Sequence, residues 1–241
     1  MQSNTIETSW IEFKTEDGLS PRGYLARPVG EGPFPALLVL QEIFGINPHI
    51  QDLCERFARE GYVAMAPELF HRRHPGFVGS YQEIGHAIQI SMQAKPEELI
   101  ADMQAAVAYL RGRAEVASQK VGAIGYCMGG RMTWLINAHA ELAVAVSYYG
   151  GLIAQTALPL AEKQHAPLLL VWAGNDPYIP AESEQAVEHA LKLAGKRFAS
   201  FHFSNANHGF FCDAREDYHP DAAAVAWPLT LAYLKTYMDQ A

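Results

Sequence analysis

The sequence has few cysteines, few charges and no long apolar run, and each of these shortages excludes a class of protein. Its 241 residues include three cysteines, Cys54, Cys127 and Cys212, and no CxxC pair, which excludes a disulfide framework. No stretch approaches the roughly 18 uninterrupted apolar residues that a membrane-spanning helix needs. Residues 1–8 contain neither a positive region nor an apolar stretch, so we expect no targeting peptide and a cytoplasmic protein.

Basic residues are outnumbered by acidic ones. Lys and Arg number 18 against 26 Asp and Glu, the formal net charge is −8, and charged residues make up only 18% of the chain. Such a surface repels phosphate backbones and anionic lipids, so we expect neither a nucleic acid nor a membrane as partner. The length and the absence of repeats and long linkers predict one domain over residues 1–241, as a monomer or a small homo-oligomer.

Five nearly continuous apolar segments predict strands that are buried on both faces. They lie at 35–40, 62–66, 121–125, 142–147 and 168–172, and 197–203 is predicted as a last strand. Helix-length segments between them lie at 50–60, 97–111, 128–139 and 181–193, with a closing helix at 221–238. Pro228 should kink or break that closing helix.

This alternation of strands and helices predicts a single doubly wound α/β sheet, mostly parallel. Two alternating segments at 10–14 and 23–27 add an N-terminal antiparallel hairpin. Residues 70–96 fit the alternation poorly and are expected to form a loop with a short helix near 81–92. Ligands bind in this region of open α/β folds, and the sequence leaves open whether the segment moves as a lid.

The segment Gly-Tyr-Cys-Met-Gly-Gly at 125–130 follows a predicted strand and precedes a predicted helix. This is the pattern of a nucleophile elbow, with Cys127 in place of serine. The sharp turn needs small residues two positions before and after the nucleophile, because side chains there would collide with backbone. Cys127 would also lie at a helix N-terminus, whose partial positive charge favours a thiolate. We therefore predict that Cys127 is a nucleophile.

Two more residues complete a triad in the chain order of nucleophile, acid and histidine. Asp176 follows the strand at 168–172, and His208 follows the strand at 197–203. Asp176 should accept a hydrogen bond from one imidazole nitrogen, while the other nitrogen faces the Cys127 sulfur. We expect neither a metal nor a cofactor, because His71 and His74 lack a third ligand at a suitable spacing.

With these residues the sequence resembles the dienelactone hydrolase family of α/β-hydrolases over nearly its whole length. The segments that carry the resemblance are Gln-Glu-Ile-Phe-Gly-Ile-Asn at 41–47, Ala-Pro-Glu-Leu-Phe at 66–70 with Arg72, the elbow at 125–130, Asn175-Asp176, and His-Gly-Phe at 208–210. The resemblance implies the α/β-hydrolase fold and hydrolysis of a carboxylic ester or lactone. It also implies that Glu42 lies near the nucleophile and takes the thiol proton when an anionic substrate binds.

The resemblance implies further site residues. The backbone N–H groups of Met128, directly after the nucleophile, and of Ile43 are expected to form the oxyanion hole. Dienelactone-cleaving members bind the substrate carboxylate with two arginines. Arg72 matches the first, whereas Cys212 occupies the second position, and Arg215 three residues later is a candidate replacement. The aromatic candidates for lining the pocket are Phe44, Tyr81, Tyr126 and Phe210.

The substrate stays open at this stage, since one guanidinium recognises a carboxylate less well than two. One alternative is a hydrolase of aryl esters or thioesters. Another is a non-catalytic protein that holds a small ligand on the same fold. The presence of Cys127, Asp176 and His208 together favours an enzyme, because a binding protein has no need of all three.

Overall fold

The computed structural model describes residues 5–241, and the chain divides into two compact units, Met1–Gly122 and Ala123–Ala241. The expectation that residues 1–8 hold no targeting peptide therefore lies partly outside the described residues. The single domain over residues 1–241 stays a prediction. Among residues 5–241, none of the helices is both long enough and apolar enough to cross a membrane.

The first unit contains four strands in the order β1-β2-β4-β3. The strands are β1 (Ile6–Glu12), β2 (Arg22–Pro28), β3 (Phe34–Leu40) and β4 (Val63–Pro67), and β5 (Val116–Tyr126) begins in this unit. Its helices are α1 (Pro48–Arg59), α2 (Ile84–Ser91) and α3 (Pro96–Arg111). β1 and β2 form the predicted antiparallel hairpin, β2 also pairs antiparallel with β4, and β3 runs parallel to β4.

The second unit contains four parallel strands in the order β5-β6-β7-β8. After β5 they are β6 (Ala145–Tyr148), β7 (Leu168–Ala173) and β8 (Phe198–Phe203). The helices are α4 (Met128–Asn137), α5 (Ile153–Thr156), a 3-10 helix (Leu158–Lys163), α6 (Ala181–Leu193) and α7 (Pro220–Met238). Every residue of β6 and β7 is buried, as expected of strands covered on both faces.

The structure contains each predicted strand and helix, although several bounds differ by a few residues, as in β1 and β6, and larger differences occur at Pro228, in β5 and between β6 and β7. Pro228 does not break the closing helix, because α7 continues through it, and a kink at Pro228 stays a prediction. Proline removes the hydrogen bond to the carbonyl of Ala224, and both residues are exposed, so water can satisfy that carbonyl. β5 begins earlier than predicted, at Val116. The two short helices between β6 and β7 were missed because they are too short to set a periodicity.

Residues 70–96 form turns and α2, in agreement with the prediction of a loop with a short helix. Hydrogen bonds and ion pairs hold the start of this segment against α3. The carboxylate of Asp102 is buried. Its Oδ2 lies 2.8 Å from His71 Nε2, and its Oδ1 lies 2.6 Å from Arg72 Nη2. Arg73 pairs with Glu98 at 2.5 Å. The segment is therefore held where it leaves β4.

The chain passes from β5 into α4 through a sharp turn at Cys127. Its backbone has φ 56° and ψ −117°, a region that residues other than glycine rarely adopt. A Cβ at Gly125 would lie 2.0 Å from the carbonyl oxygen of Gly129, and a Cβ at Gly130 would lie 2.6 Å from the carbonyl oxygen of Tyr148. The predicted turn is present, and glycine at these positions is what lets strand and helix approach so closely.

We expect Gly125→Ala to lower the free energy of unfolding by about 1–3 kcal/mol or more, because backbone must move to admit the methyl group. Gly85→Ala in α2 is the matched control, since nothing lies within 4 Å of its added Cβ, and it should leave stability unchanged or raise it slightly. Urea unfolding of both variants measures the difference. Equal stability of the two variants would contradict the steric account of the turn.

Candidate active site

The structure brings Asp176 and His208 together within the second unit. His208 Nδ1 lies 2.6 Å from Asp176 Oδ2, and both side chains are buried. The other carboxylate oxygen, Oδ1, accepts the backbone N–H of Tyr178 at 2.8 Å. A carboxylate on Nδ1 fixes the orientation of the imidazole ring and leaves its Nε2 for a second partner.

Backbone hydrogen bonds hold the loops that carry these two residues side by side. Gly174 N–H donates to Phe203 O at 2.9 Å, and Asn175 N–H donates to Ala206 O at 3.0 Å. A Cβ at Gly174 would lie 2.6 Å from Ser204 Cα, so only glycine permits this approach. The position of Asp176 relative to His208 is therefore set by main chain.

Cys127 is the second partner of the His208 imidazole. It is half-buried, whereas Cys54 and Cys212 are buried. Burial by itself lowers the pKa of His208, but attraction to Cys127 and the hydrogen bonds that the imidazole forms with Asp176 and Cys127 outweigh it and raise that pKa to about 10. The imidazole of His208 thus interacts with both Asp176 and Cys127, and the catalytic role of these three residues stays a prediction.

Aromatic rings surround the imidazole of His208. The ring centroids of Tyr149 and Tyr178 lie 5.0 Å and 5.2 Å from that of His208. Tyr149 is buried, whereas Tyr178 is 62% exposed at the surface beside the histidine. Sequence reasoning missed both tyrosines. Their positions in the sequence could have identified them, because Tyr149 directly follows β6 and Tyr178 lies two residues after Asp176.

Two of the predicted pocket residues belong to the aromatic core of this unit. Tyr126 and Phe210 are fully buried. Tyr126 lies 4.8 Å from Tyr148, and Phe210 lies 5.5 Å from Tyr149, measured between ring centroids. Phe210 thereby supports the Tyr149 ring that packs on His208. Direct contact of Tyr126 or Phe210 with substrate stays a prediction.

Met128 is the first residue of α4. The first N–H groups of a helix have no acceptor within the helix, and they carry its partial positive charge. The backbone N–H of Met128 is therefore able to bind an oxyanion next to the cysteine. Ile43, in the first unit, is partly exposed just after Glu42. The role of both N–H groups in an oxyanion hole stays a prediction.

In the first unit Glu42 follows β3 and is completely buried. The Tyr81 hydroxyl donates to Glu42 Oε2 at 3.4 Å and accepts Asn47 Nδ2 at 2.9 Å. Asn47 in turn caps α1 by accepting the Ile50 N–H at 3.1 Å. Phe44 is buried with its ring 4.6 Å from that of Tyr81. Sequence reasoning gave Tyr81 only a lining role, whereas its hydroxyl contacts the predicted glutamate.

All three guanidinium nitrogens of Arg72, also in the first unit, donate to carboxylates. Nε and Nη2 donate to Asp102 at 3.0 Å and 2.6 Å, and Nη1 donates to Asp17 at 2.5 Å. Hydrogen bonds to these two carboxylates raise the pKa of Arg72. The structure gives this arginine a structural task, and its binding of substrate stays a prediction.

Cys212 and Arg215, the candidates for the second carboxylate-binding position, follow His208 by four and seven residues in the sequence. Cys212 is buried and carries no charge to hold an anion. Arg215 Nη2 lies 3.3 Å from Asp217 Oδ2, and a Cβ at Gly209 would lie 2.7 Å from Arg215 Cζ. The Arg215 guanidinium therefore packs on the backbone that directly follows His208. Its replacement of the second arginine stays a prediction.

Comparison with known proteins agrees with this arrangement. The profile of the dienelactone hydrolase family matches residues 22–238. A protein of Synechocystis named "Putative carboxymethylenebutenolidase" is 35% identical over 231 residues, covering 92% of this chain and 94% of that one. A Bradyrhizobium protein named "Probable 2-oxo-3-(5-oxofuran-2-ylidene)propanoate lactonase" is 29% identical over 246 residues, covering 99% and 98%.

A solved structure shows the same fold. The crystal structure of a "Putative Dienelactone Hydrolase" from Klebsiella pneumoniae superposes with a TM-score of 0.90 at 31% identity, covering 97% of this chain and all of that one. The predicted α/β-hydrolase fold is thereby confirmed, as is the prediction of an enzyme that hydrolyses esters or lactones. The chain belongs to the dienelactone hydrolase family.

Proposed function

We propose that this hydrolase cleaves a carboxylic ester or lactone through a thioester formed on Cys127, with His208 as the proton carrier and Asp176 as the residue that orients it. The observation that carries the proposal is the buried 2.6 Å contact between Asp176 and an imidazole whose other partner is Cys127. Attraction to Cys127 is among the causes that raise the pKa of His208 to about 10, so the imidazole is able to hold a proton once the thiolate has formed.

In the first half of the reaction, the Cys127 thiolate attacks the carbonyl carbon and a new C–S bond forms. The carbonyl oxygen becomes an oxyanion, which the Met128 and Ile43 N–H groups would stabilise. The intermediate collapses by breaking the bond to the alcohol oxygen, and His208 gives its proton to that oxygen. A lactone opens in the same step and keeps its alcohol on the acyl chain.

In the second half, water cleaves the thioester. Acylation removes the negative charge of Cys127, and with it an attraction that raises the pKa of His208. The imidazole is then neutral and takes a proton from the attacking water. The C–S bond breaks, the acid leaves, and the proton on His208 restores the ion pair with the thiolate. One residue thus serves as acid and then as base because the charge of its neighbour changes.

Glu42 is proposed to control the thiol, as the family resemblance implies, by taking its proton when an anionic substrate binds. The supporting observation in the first unit is that this carboxylate is completely buried and contacts the Tyr81 hydroxyl. A buried carboxylate is costly to keep unless it has a task. An alternative substrate class, aryl esters, is favoured by the exposed ring of Tyr178 beside His208.

Cys127→Ala should lower turnover of cis- or trans-dienelactone and of short-chain p-nitrophenyl esters by at least about 10³-fold, because no other group can form the thioester. Cys54→Ala removes a buried thiol of α1 and should keep wild-type turnover. Turnover of the aryl esters alone in the wild type would favour the alternative substrate class. Wild-type turnover in folded Cys127→Ala would refute the proposal.

His208 should titrate with a midpoint near 10 in the wild type and at lower pH in Asp176→Asn, because the substitution removes a hydrogen bond and a charge that raise its pKa. Since the folded pKa lies above the usual value of 6.5, this group stabilises the fold fully below about pH 6.5 and loses its effect as pH rises through 10. Side-chain NMR of ¹⁵N-labelled protein follows the midpoint, with exposed His189 as the internal reference. An unchanged midpoint in the variant would contradict the assigned role of Asp176.

Acetate, as a minimal anionic ligand, should accelerate alkylation of Cys127 by iodoacetamide in the wild type and have no effect in Glu42→Gln. The amide cannot take the thiol proton, whereas the carboxylate can. Glu60→Gln, at an exposed position after α1, is the control and should respond like the wild type. Chloride at equal ionic strength excludes a general salt effect. Equal acceleration in Glu42→Gln would remove this glutamate from the mechanism.

A further inference from the structure

Arg131 lies one helical turn after Cys127, in the first part of α4. Its backbone N–H donates to Cys127 O at 3.4 Å. Side chains of a helix are tilted toward its N-terminus, so the Arg131 side chain is directed toward the end of α4 at which Cys127 lies. Gly130, between them, faces Tyr148 instead, since a Cβ there would lie 2.6 Å from its carbonyl oxygen.

The Arg131 side chain is charged, partly buried and without an acidic partner. Within residues 5–241 its guanidinium forms no ion pair or hydrogen bond, and its Nε is buried without a partner. Burial lowers the pKa of Arg131, and attraction to Cys127 opposes that change. Other arginines of the chain do pair with a carboxylate: Arg22, Arg27, Arg59, Arg72, Arg73, Arg113 and Arg215.

An unpaired guanidinium in a partly buried position lowers stability, because it loses water and gains no counter-charge. Groups of this kind mark places where a ligand supplies the missing charge. The ligand of Arg131 has to reach the neighbourhood of Cys127, which is where an acyl group would be attacked. An anionic group of the substrate therefore meets both conditions.

We propose that Arg131 is a substrate-binding residue that holds a carboxylate attached near the scissile carbonyl of the ester or lactone. This inference rests on the proposed function and narrows its substrate class to anionic esters and lactones. A planar carboxylate matches the parallel donors of a guanidinium. Arg131 would thus bind the substrate carboxylate in place of the two positions that the family pattern suggests. Cys212 has no positive charge. Each guanidinium nitrogen of Arg72 already donates to Asp102 or Asp17.

Alkylation of Cys127 by iodoacetate and by iodoacetamide tests the proposal. In both reactions the sulfur forms a bond to the CH₂ carbon and iodide leaves, so the reagents differ only in carrying a carboxylate or an amide. The rate ratio of iodoacetate to iodoacetamide, divided by the same ratio for N-acetylcysteine, reports recognition of the carboxylate. An effect of Arg131 on the reactivity of the sulfur alone would change both rates together and leave the ratio unaltered.

We expect a normalised ratio well above one in the wild type and a decrease of about tenfold or more in Arg131→Met, which keeps the length of the side chain without its charge. Arg131→Lys keeps the charge but loses the paired donors, and its ratio should fall between the two. Arg59→Met removes a surface charge of α1 and should keep the wild-type ratio. Peptide mass spectrometry verifies that Cys127 is the residue modified.

An unchanged ratio in folded Arg131→Met would overturn the proposal. If Arg131→Met does not fold, Arg131→Lys provides the test. A wild-type rate ratio in Arg131→Lys would also overturn the proposal, because lysine lacks the paired N–H donors of the guanidinium. The measurement needs no turnover. Failure of Cys127-dependent hydrolysis would refute the proposed function, whereas failure here with hydrolysis intact would refute only the role of Arg131.

Discussion

The buried hydrogen bond between Asp176 and His208 is the interaction on which the arrangement of the second unit depends. It joins two loops that follow neighbouring parallel strands, and at 2.6 Å it holds the two side chains in direct contact. The glycine at 174 and the main-chain bonds around it bring the loops close enough. The aromatic core beneath positions Tyr149 against the imidazole. Aromatic packing and backbone hydrogen bonds thus position Asp176 and His208 for their hydrogen bond.

Charge around the elbow is arranged to favour an anion at the sulfur. The pKa of His208 is raised, Arg131 has no carboxylate partner among residues 5–241, and the N-terminus of α4 adds a partial positive charge. The backbone of Cys127 is itself strained at φ 56°. The unpaired guanidinium of Arg131 and the strained backbone of Cys127 each lower stability. The surrounding buried strands offset that cost, which is how a reactive cysteine can be held in a fixed position.

Much of the fold follows from patterns that are local in sequence. Strands such as β7 are apolar throughout because both faces are covered, so their burial is visible in the residues themselves. α1 and α3 begin at Pro48 and Pro96, one or two residues before the predicted starts, because proline is tolerated in the first turn of a helix. The continuation of α7 through Pro228 could not be predicted, because it depends on whether the freed carbonyl faces water or protein.

The sequence by itself determined the elbow and the chain order of Cys127, Asp176 and His208, since each is fixed by small residues or by a position just after a strand. Only the tertiary structure decided which charges are paired. Asp102, on α3, neutralises Arg72, and nothing in the described chain neutralises Arg131. The physical reason is that ion pairs form between side chains far apart in sequence. The packing of helices and loops determines which charged side chains meet, and a local sequence pattern cannot predict these pairs.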